Sequence, residues 1–358
     1  MSALERFREK MQANDLDLFL VTQGHNRRYL SGFSGSAGVL LITPDRQFLA
    51  TDSRYYERVK REAPAWELIE AGYKTMEALN TVLTENNLKG GRIGFEADHV
   101  TVAQLQSWRE TLGETTLVET TDFVLGLRAA KTENELASIR KAVAIADQAM
   151  AHIYQWIQPG MTEKEVAWEL EVFMRTHGAD ALSFETIVAA GANGAIPHAA
   201  PSDYKIQLGD PVVIDLGCMV EGYCSDVTRT FSVGEPNQAG YRAIWELVYQ
   251  ANAAAEAGLK AGMPGNEADA LARELIKAAN YGDNFGHTLG HGVGLNIHEH
   301  PRLSYIVETP VEAGAVVTVE PGVYLPGAFG VRLEDMVVVT DNGAEVLTAV
   351  PKVAVLAR

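Results

Sequence analysis

The sequence predicts an α+β protein of two domains, the second of which consists of two similar halves. Three observations support this fold class. The length of 358 residues is more than one small core requires and suits two domains. An initial stretch alternates short helical and extended patterns, and a capping signal then opens a much longer helix. Beyond that signal, one arrangement of helices, strands and acidic residues occurs twice.

The first domain is predicted over residues 1–127 as a mixed α/β unit. Short apolar runs between turn residues predict strands, and apolar residues at helical spacing predict helices. The predicted strands are residues 18–22, 38–43 and 92–95, and the predicted helices are residues 3–14, 75–85 and 102–112. The cluster of Arg54, Tyr55 and Tyr56 favours a surface or an interface over a catalytic role.

The second domain is predicted over residues 128–358 and opens with two helices. Thr132 and Glu135 form a capping box, which predicts a helix that runs to about Trp156. The segment TEKE at residues 162–165 is a second capping box and predicts a helix that runs to about His177.

The duplication is clearest in two strand segments of this domain. GDPVVIDLG at residues 209–217 and GAVVTVEPG at residues 314–322 have the same length, and each carries an acid at its seventh position. In each half a histidine precedes this acid and another acid follows it: His198, Asp215 and Asp226, then His298, Glu320 and Glu334. Each half is therefore predicted to be a helix pair followed by strands with one histidine and two carboxylates.

A hairpin is predicted between Asp215 and Asp226, with a two-residue turn at Glu221-Gly222. In that register Gly217 pairs with Asp226, so Asp226 lies diagonal to Asp215 on the same face. Diagonal neighbours have Cβ atoms about 7–8 Å apart or somewhat less. Two carboxylates at that separation can hold two metal ions between them. The small Gly217 is predicted to leave room for those ions.

Three of the acids adjoin apolar strands, which predicts that they are buried: Asp215, Glu320 and Glu334. A buried carboxylate is costly unless it is paired or bound to a metal. The alternative to a metal site is a buried salt-bridge network. That network would need several bases, and only Arg229 and Arg332 lie close by in sequence.

Four of the nine histidines lie between residues 287 and 300: His287, His291, His298 and His300. His291 stands between glycines in GHGVG, which predicts a close approach of the backbone to a ligand. Each histidine alone favours packing or the surface, but the cluster lies between two acid-bearing strands. Four carboxylates and one imidazole form a hard, oxygen-rich set that suits Mn, Co, Fe or Zn. Two such ions favour hydrolysis of an amide or an ester.

Composition excludes several other classes of protein. The net charge is −17 and no run of Lys and Arg is present, so the sequence does not predict a nucleic-acid partner. No apolar run is long enough to span a bilayer, and the polar start MSALERFREKMQ favours a cytoplasmic location. The predicted hairpin register places Cys218 and Cys224 on opposite faces, which argues against a disulfide.

Five of these motifs together resemble the signature of the pita-bread metallopeptidases, which include prolidase, aminopeptidase P and methionine aminopeptidase. The motifs are IDLG, SDVTRT, GHGVGLNIHE, VEPGVY and VRLEDMV. In the first domain, RYLSGFSGSAG and TDSRYY resemble the N-terminal domain of creatinase and prolidase. Plain methionine aminopeptidases usually lack that domain, and creatinase lacks the metal ligands. The resemblance implies a pita-bread catalytic domain with a pseudo-twofold axis behind a creatinase-like N-terminal domain.

The resemblance also implies a role for each candidate residue. Asp215 would hold one metal, His291 and Glu320 mainly the other, and Asp226 and Glu334 would bridge the two. Glu320 would also shuttle a proton. Two histidines and an arginine would complete the site: His198 and His298 would hydrogen-bond the substrate and the tetrahedral intermediate, and Arg332 would line the pocket. His287 is a further, weaker candidate.

The implied function is that of an Xaa-Pro aminopeptidase, which releases the residue before proline through attack by a metal-activated hydroxide. The alternatives are an Xaa-Pro dipeptidase and an inactive peptide-binding relative. The short chain and the absence of an obvious basic loop for a dipeptide carboxylate favour the aminopeptidase. The implied cofactors are two divalent ions per subunit, Mn first and Co, Zn or Fe otherwise. The implied partners are peptides with proline second and a second copy of the chain, with no membrane partner.

Overall fold

In the computed structural model, which describes residues 1–358, the chain divides into two units, residues 1–128 and 129–358. The predicted domain boundary, between residues 127 and 128, lies one residue before this division. None of the helices is both long enough and apolar enough to cross a membrane.

The first unit is one mixed sheet with helices on both faces. Its strands are β1 Leu18–Val21, β2 Val39–Ile42, β3 Gln47–Thr51, β4 Glu67–Glu70, β5 Arg92–Glu96 and β6 Thr116–Thr120. Its helices are α1 Ala3–Ala13, α2 Gly24–Ser31, α3 Tyr56–Glu62, α4 Thr75–Glu85, α5 Val102–Leu112 and α6 Leu125–Arg128. The strand order is β4-β3-β2-β1-β5-β6, and β1 runs antiparallel to β2 but parallel to β5.

The alternation of side chains along β1 accounts for the two layers of core in this unit. Phe19 packs in one cluster with Phe7 of α1. Its neighbour Leu20 points to the other face and packs with Leu79 of α4 and Trp108 of α5. The three predicted strands and three predicted helices are confirmed, each within one residue of its predicted ends.

The second unit contains two helix pairs and the remaining strands. The helices are α7 Glu133–Trp156, α8 Glu163–Thr176, α9 Tyr241–Gly258 and α10 Gly265–Ala278, with short 3₁₀ turns at Gly191–Ala195 and Gly282–Asn284. Both predicted capping boxes form at the starts of α7 and α8. The strands up to α9 are β7 Ala181–Leu182, β8 Ile187–Ala190, β9 Pro211–Leu216, β10 Cys218–Val220, β11 Tyr223–Cys224 and β12 Val227–Val233. The later strands are β13 Gly290–Gly292, β14 Glu299–Leu303, β15 Val316–Val319, β16 Gly322–Leu325, β17 Phe329–Arg332, β18 Asp335–Thr340, β19 Gly343–Val346 and β20 Val355–Leu356.

The predicted duplication is present in these elements. The first helix pair packs on a sheet of order β20-β12-β9-β8, and the second packs on a sheet of order β14-β13-β15-β18-β19. The two matching nine-residue segments form β9 and β15. Each of these strands pairs antiparallel with the strand that follows the half's second acid, β12 and β18 respectively.

The predicted hairpin register is confirmed. Val220 pairs with Tyr223 around Glu221 and Gly222, whose φ values of 52° and 82° suit a tight hairpin turn. The same register continues into β9 and β12, where Asp215 pairs with Thr228. Asp226 therefore lies diagonal to Asp215, as the sequence predicted.

Two predictions about the residues between these acids had different outcomes. Cys218 and Cys224 are both buried, form no disulfide, and pack in different core clusters. The expectation that they form no disulfide is confirmed. The prediction that Gly217 leaves room for metal ions is wrong. A Cβ there would lie 2.0 Å from the Ser225 carbonyl oxygen and 2.9 Å from the Phe184 ring, so the hairpin itself fills this space.

Candidate metal centre

A cavity of about 410 Å³ in the second unit collects the candidate residues. All five predicted metal ligands line it: Asp215, Asp226, His291, Glu320 and Glu334. The other predicted site residues also line it: His198, His287, His298 and Arg332. The two halves of the duplication thus contribute their acids and histidines to one place.

Strand ends position the four acids, and the short strand β13 positions the histidine. In the first half, Asp215 is the second-last residue of β9, and Asp226 immediately precedes β12. In the second half, His291 is the middle residue of β13, Glu320 directly follows β15, and Glu334 lies between β17 and β18. Because β9 with β12 and β15 with β18 are equivalent pairs, the acids of both halves reach the cavity from corresponding strand ends.

The glycines beside His291 serve the packing of strands. A Cβ at Gly290 would lie 2.0 Å from the Thr318 carbonyl oxygen, and one at Gly292 would lie 2.3 Å from the His300 carbonyl oxygen. The expectation that these glycines admit a ligand is therefore wrong, because neighbouring backbone occupies the space. Gly290 thus allows β13 to lie close against β15, and Gly292 allows it to lie close against β14.

Short distances connect the ligand atoms. His291 Nε2 lies 3.4 Å from Glu320 Oε1 and 3.7 Å from Asp226 Oδ2. One ligand atom from each of Asp226, His291 and Glu334 falls within 4.8 Å of the other two. Ligand atoms bind a divalent ion such as Zn²⁺ at roughly 2.0–2.2 Å, so atoms about 3–4 Å apart can share one ion.

The buried acids hold protons in the absence of a cation. Burial, reinforced by the Glu334 and Asp215 carboxylates, raises the pKa of Asp226 well above its ordinary value. Burial and the neighbouring Glu320 and Asp215 do the same to the pKa of Glu334. Burial also raises the pKa of Glu320 to about 8. A bound cation would remove this penalty by supplying the missing positive charge.

The imidazole of His291 is prepared as a neutral ligand. Burial, with His298 close by, lowers the pKa of His291 to about 3. Its Nδ1 lies 3.1 Å from the Gly292 carbonyl oxygen, which can only accept a hydrogen bond, so Nδ1 carries the proton. The lone pair of Nε2 is thereby directed at the carboxylates, the tautomer that a metal requires.

A salt-bridge network does not account for these acids. Arg229 donates to Asp335 at 2.7 Å, which is outside the cavity lining. Arg332 Nη2 donates to Asp215 Oδ2 at 2.6 Å and is the one guanidinium bonded to the site acids. Asp215 Oδ1 is buried and has no hydrogen-bond partner. Four carboxylates with one guanidinium and a neutral imidazole therefore fit divalent cations better than a network of ion pairs.

Hydroxyl groups orient two of the carboxylates, and the sequence reasoning missed them. Thr228 Oγ1 donates to Glu334 Oε2 at 2.6 Å and accepts from Arg332 Nε at 3.1 Å. Thr318 Oγ1 donates to Glu320 Oε1 at 3.1 Å. The period-two pattern offered a signal for Thr318, which is two residues from Glu320, but none for Thr228, whose partner Glu334 is far away in sequence.

The remaining predicted residues form the rest of the wall. His198 and His298 are exposed toward the cavity, and the His298 and His291 ring centroids are 4.3 Å apart. Tyr324, also missed, joins two others: its hydroxyl accepts from Arg332 Nη1 at 2.9 Å and lies 2.9 Å from His287 Nε2.

Arg302 is a third residue that the sequence reasoning missed. It is exposed on β14, four residues after His298, and lines the cavity without a hydrogen bond from its guanidinium. The alternating burial of β14 contains the signal, because His298 and Arg302 are separated by an even number of residues.

Comparisons with known proteins show which families the two parts of the chain match. The profile of metallopeptidase family M24 matches residues 137–341, and that of the creatinase/prolidase N-terminal domain matches residues 4–130. An uncharacterised peptidase of Bacillus subtilis is 40% identical and covers 98% of both chains.

Two solved structures match nearly the whole chain. An Xaa-Pro dipeptidase from Bacillus anthracis has a TM-score of 0.94, 41% identity and 99% coverage of both chains. An X-Pro aminopeptidase from Thermotoga maritima has a TM-score of 0.92, 36% identity and coverage of 99% of this chain and 100% of its own. The predicted creatinase-like and pita-bread domains are thus confirmed, and the chain belongs to metallopeptidase family M24.

Proposed function

We propose that this chain is a metal-dependent Xaa-Pro aminopeptidase, which releases the residue that precedes proline at the N-terminus of a peptide. One observation carries the proposal: four carboxylates and a neutral imidazole converge in a cavity that also presents two exposed histidines. Two divalent ions in such a site would lower the pKa of bound water and polarise a carbonyl. Asp215, Asp226, His291, Glu320 and Glu334 would hold those ions.

The other residues would bind the substrate and move protons. Glu320 is suited to pass a proton to the departing proline nitrogen, because its carboxyl group lines the cavity beside the other candidate ligands. His198 and His298 would donate hydrogen bonds to the carbonyl oxygen as negative charge develops. Arg332 is buried and bonded to Asp215 and Thr228, which supports a role in orienting Asp215.

The cavity walls suit a proline ring. Apolar side chains of Phe184, Pro197 and Ile297 lie among the lining residues. A volume of about 410 Å³ is within the usual range of sites for small ligands. The relatives' names, Xaa-Pro dipeptidase and X-Pro aminopeptidase, agree with this substrate class.

A second candidate, the Xaa-Pro dipeptidase, is favoured by one observation. The unbonded guanidinium of Arg302 at the cavity is a group that could bind the free carboxylate of a dipeptide. The sequence reasoning preferred the aminopeptidase because it found no such base. Arg302 therefore becomes the residue that separates the two functions.

The test compares Met-Pro with Met-Pro-Gly in wild-type protein and in Arg302→Gln. An aminopeptidase cleaves the tripeptide in preference, and Arg302→Gln changes its kcat/KM little. A dipeptidase cleaves Met-Pro, and Arg302→Gln lowers that rate by roughly tenfold or more, because a charged hydrogen bond is lost. Arg242→Gln, at an exposed arginine of α9 outside the cavity, is the matched control. Cleavage of neither peptide with Mn²⁺, Co²⁺ or Zn²⁺ would exclude both functions.

The remaining expectations belong to the same proposal. Two divalent ions per subunit, with Mn²⁺ first, suit the oxygen-rich ligand set. A homodimer, a cytoplasmic location and the absence of nucleic-acid or membrane partners remain predictions. Sedimentation of the purified protein and its distribution between cell fractions test the first two.

A further inference from the structure

Glu163, the first residue of α8, is an acid that the metal site does not use. It is fully buried, with 0% of its surface exposed, and it forms no ion pair. The start of α8 does not need it, because Thr162 and Glu165 already form the capping box. Burial of a carboxylate without a cation is costly unless hydrogen bonds replace its water. The partners of those hydrogen bonds therefore indicate the structural role of Glu163.

The carboxylate of Glu163 joins the two ends of one segment, residues 190–202. At the first end, Oε1 accepts from the Ala190 amide at 2.7 Å and from Asn193 Nδ2 at 2.9 Å. At the other end, Oε2 accepts from the Ser202 amide at 2.9 Å and from Ser202 Oγ at 2.6 Å. Both oxygens are thus used twice, and the two ends of the segment meet on one side chain.

The segment between these ends forms one wall of the candidate site. It carries His198, together with Pro197 and residues 199–201, which line the cavity. Two further contacts hold its middle. The Pro197 carbonyl accepts a hydrogen bond from Arg332 Nη1 at 3.2 Å. Gly194 packs tightly on Gly330, because a Cβ at Gly330 would lie 2.0 Å from the Gly194 carbonyl oxygen. His198 itself makes no hydrogen bond, so its position depends on the segment.

We propose that Glu163 is a positioning residue, which holds the segment 190–202 and thereby sets the place of His198 in the active site. A carboxylate suits this role because it only accepts hydrogen bonds, and all four groups it meets are able to donate. A neutral amide offers one acceptor oxygen and turns an N–H group toward donors. The effect on catalysis rests on the proposed function, in which His198 contacts the substrate.

The first arm of the test measures the segment without reference to activity. Hydrogen exchange of the backbone amides is compared in wild-type protein, Glu163→Gln and Glu165→Gln. In Glu163→Gln, exchange within residues 190–202 should rise by about tenfold or more, because buried donors lose their acceptor. Glu165→Gln is the matched control: it lies two residues away, is exposed, and its amide still completes the capping box. Unchanged exchange in Glu163→Gln would overturn the proposal.

A milder variant covers the case in which Glu163→Gln does not fold. Ser202→Ala removes one of the four hydrogen bonds to Glu163, together with the bonds that its hydroxyl accepts from the Tyr204 amide and from Asn193 Nδ2, and keeps the amide of residue 202. The same segment should then exchange faster, by a smaller factor than in Glu163→Gln. Faster exchange spread over the whole second unit, in either variant, would contradict a local clamp.

The second arm is a double-mutant cycle with His198→Ala. Glu163→Gln should lower kcat/KM for Met-Pro-Gly by roughly tenfold in the wild-type background, with metal content unchanged. In the His198→Ala background it should cause little further loss, because its effect passes through His198. Fully multiplicative losses would contradict the role in positioning. If the wild-type protein cleaves no Xaa-Pro peptide, the proposed function fails, and the exchange measurement alone decides the role of Glu163.

Discussion

The acids of the metal centre differ in what neutralises them. Asp215 is bonded to Arg332, whereas Asp226 and Glu320 have only the neutral imidazole of His291 beside them, and Glu334 is bonded to the Thr228 hydroxyl. Without a cation, burial and mutual repulsion keep these three acids protonated to unusually high pH. A divalent ion must displace those protons, so metal affinity should rise with pH.

This protonation predicts how the metal-free protein responds to pH. The folded protein raises the pKa of Glu320 from its ordinary 4.5 to about 8, so it binds a proton that the unfolded chain releases. That contribution is complete below the unfolded pKa and is lost as pH rises through about 8. The free energy of unfolding should therefore fall between pH 7 and 8.5. His287 and His291, whose pKa values are lowered to about 4 and 3, are neutral across this range.

Thermal unfolding in EDTA measures this effect, with Glu320→Gln as the control. The variant lacks the titrating group, so its stability should fall less steeply over the same range. Saturating Mn²⁺ should remove most of the fall in the wild type. A metal-free protein that gains stability from pH 7 to 8.5 would contradict the assignment of these protons.

Replacement of Asp226 tests the ligand assignment. Asp226→Asn keeps the shape of the side chain and, in the metal-free protein, replaces a protonated carboxyl group with a neutral amide, so the protein should stay folded. Metal content should fall below two ions per chain, and kcat/KM should fall by roughly 100-fold or more, since loss of an outer partner alone often costs 10–100-fold. Elemental analysis, circular dichroism and a peptidase assay measure the three quantities.

Asp203→Asn, at an exposed acid outside the cavity, is the matched control for Asp226→Asn. It should leave metal content and activity unchanged. An Asp226→Asn protein that retains two ions and full activity would remove Asp226 from the site.

Single site residues were predictable where a local sequence pattern indicated their position. Asp215 and Asp226 followed from hairpin register, and Glu320 from its match to Asp215 in the repeat. Glu163 was not found, because its role depends on hydrogen-bond partners far away in sequence. The segment that Glu163 holds, for example, ends 39 residues further along the chain.

Elements of the second unit approach one another more closely than side chains would allow. Gly290 lies against Thr318 of β15, and Gly330 of β17 lies against Gly194, in the segment that carries His198. The glycines beside His291 were predicted to allow the backbone to approach a ligand, whereas they allow it to approach neighbouring strands. Which backbone a glycine meets depends on how the two halves pack, and local sequence does not contain that information.

Gly330→Ala tests this packing. Its Cβ would lie 2.0 Å from the Gly194 carbonyl oxygen, so β17 and the His198 segment must separate. The expected cost is about 1–3 kcal/mol of the free energy of unfolding, as for other overpacked sites. Urea denaturation measures it. Gly343→Ala, where a Cβ would meet nothing within 4 Å, should change stability by no more than about 0.5 kcal/mol. Equal effects of the two substitutions would argue against the close contact.

The elements themselves were largely predictable because their signals are local. Capping boxes fixed the starts of α7 and α8, and a Glu-Gly turn fixed the hairpin. The strands β13 and β16–β17 were not predicted. They are short, rich in glycine and held by neighbouring strands, so their own residues give little indication of extended structure.

The candidate site lies entirely within the second of the two units of the molecule. Each unit has hydrophobic clusters of its own, and every residue that lines the candidate site belongs to residues 129–358. The internal repeat made this fold predictable, since duplicated acids placed the metal centre between two halves. The repeat gave no indication of how much of a peptide the cavity accepts, because that depends on wall residues such as Arg302.

The most direct test of the account titrates metal-free protein with Mn²⁺ and follows the release of methionine from Met-Pro-Gly. Activity should be absent in EDTA and should rise until two ions are bound per chain, because the proposal assigns two metals to the five candidate ligands. The same titration of Asp226→Asn should yield almost no turnover. Full activity without metal, or no turnover when two ions of Mn²⁺, Co²⁺ or Zn²⁺ are bound, would contradict a metal-dependent Xaa-Pro peptidase.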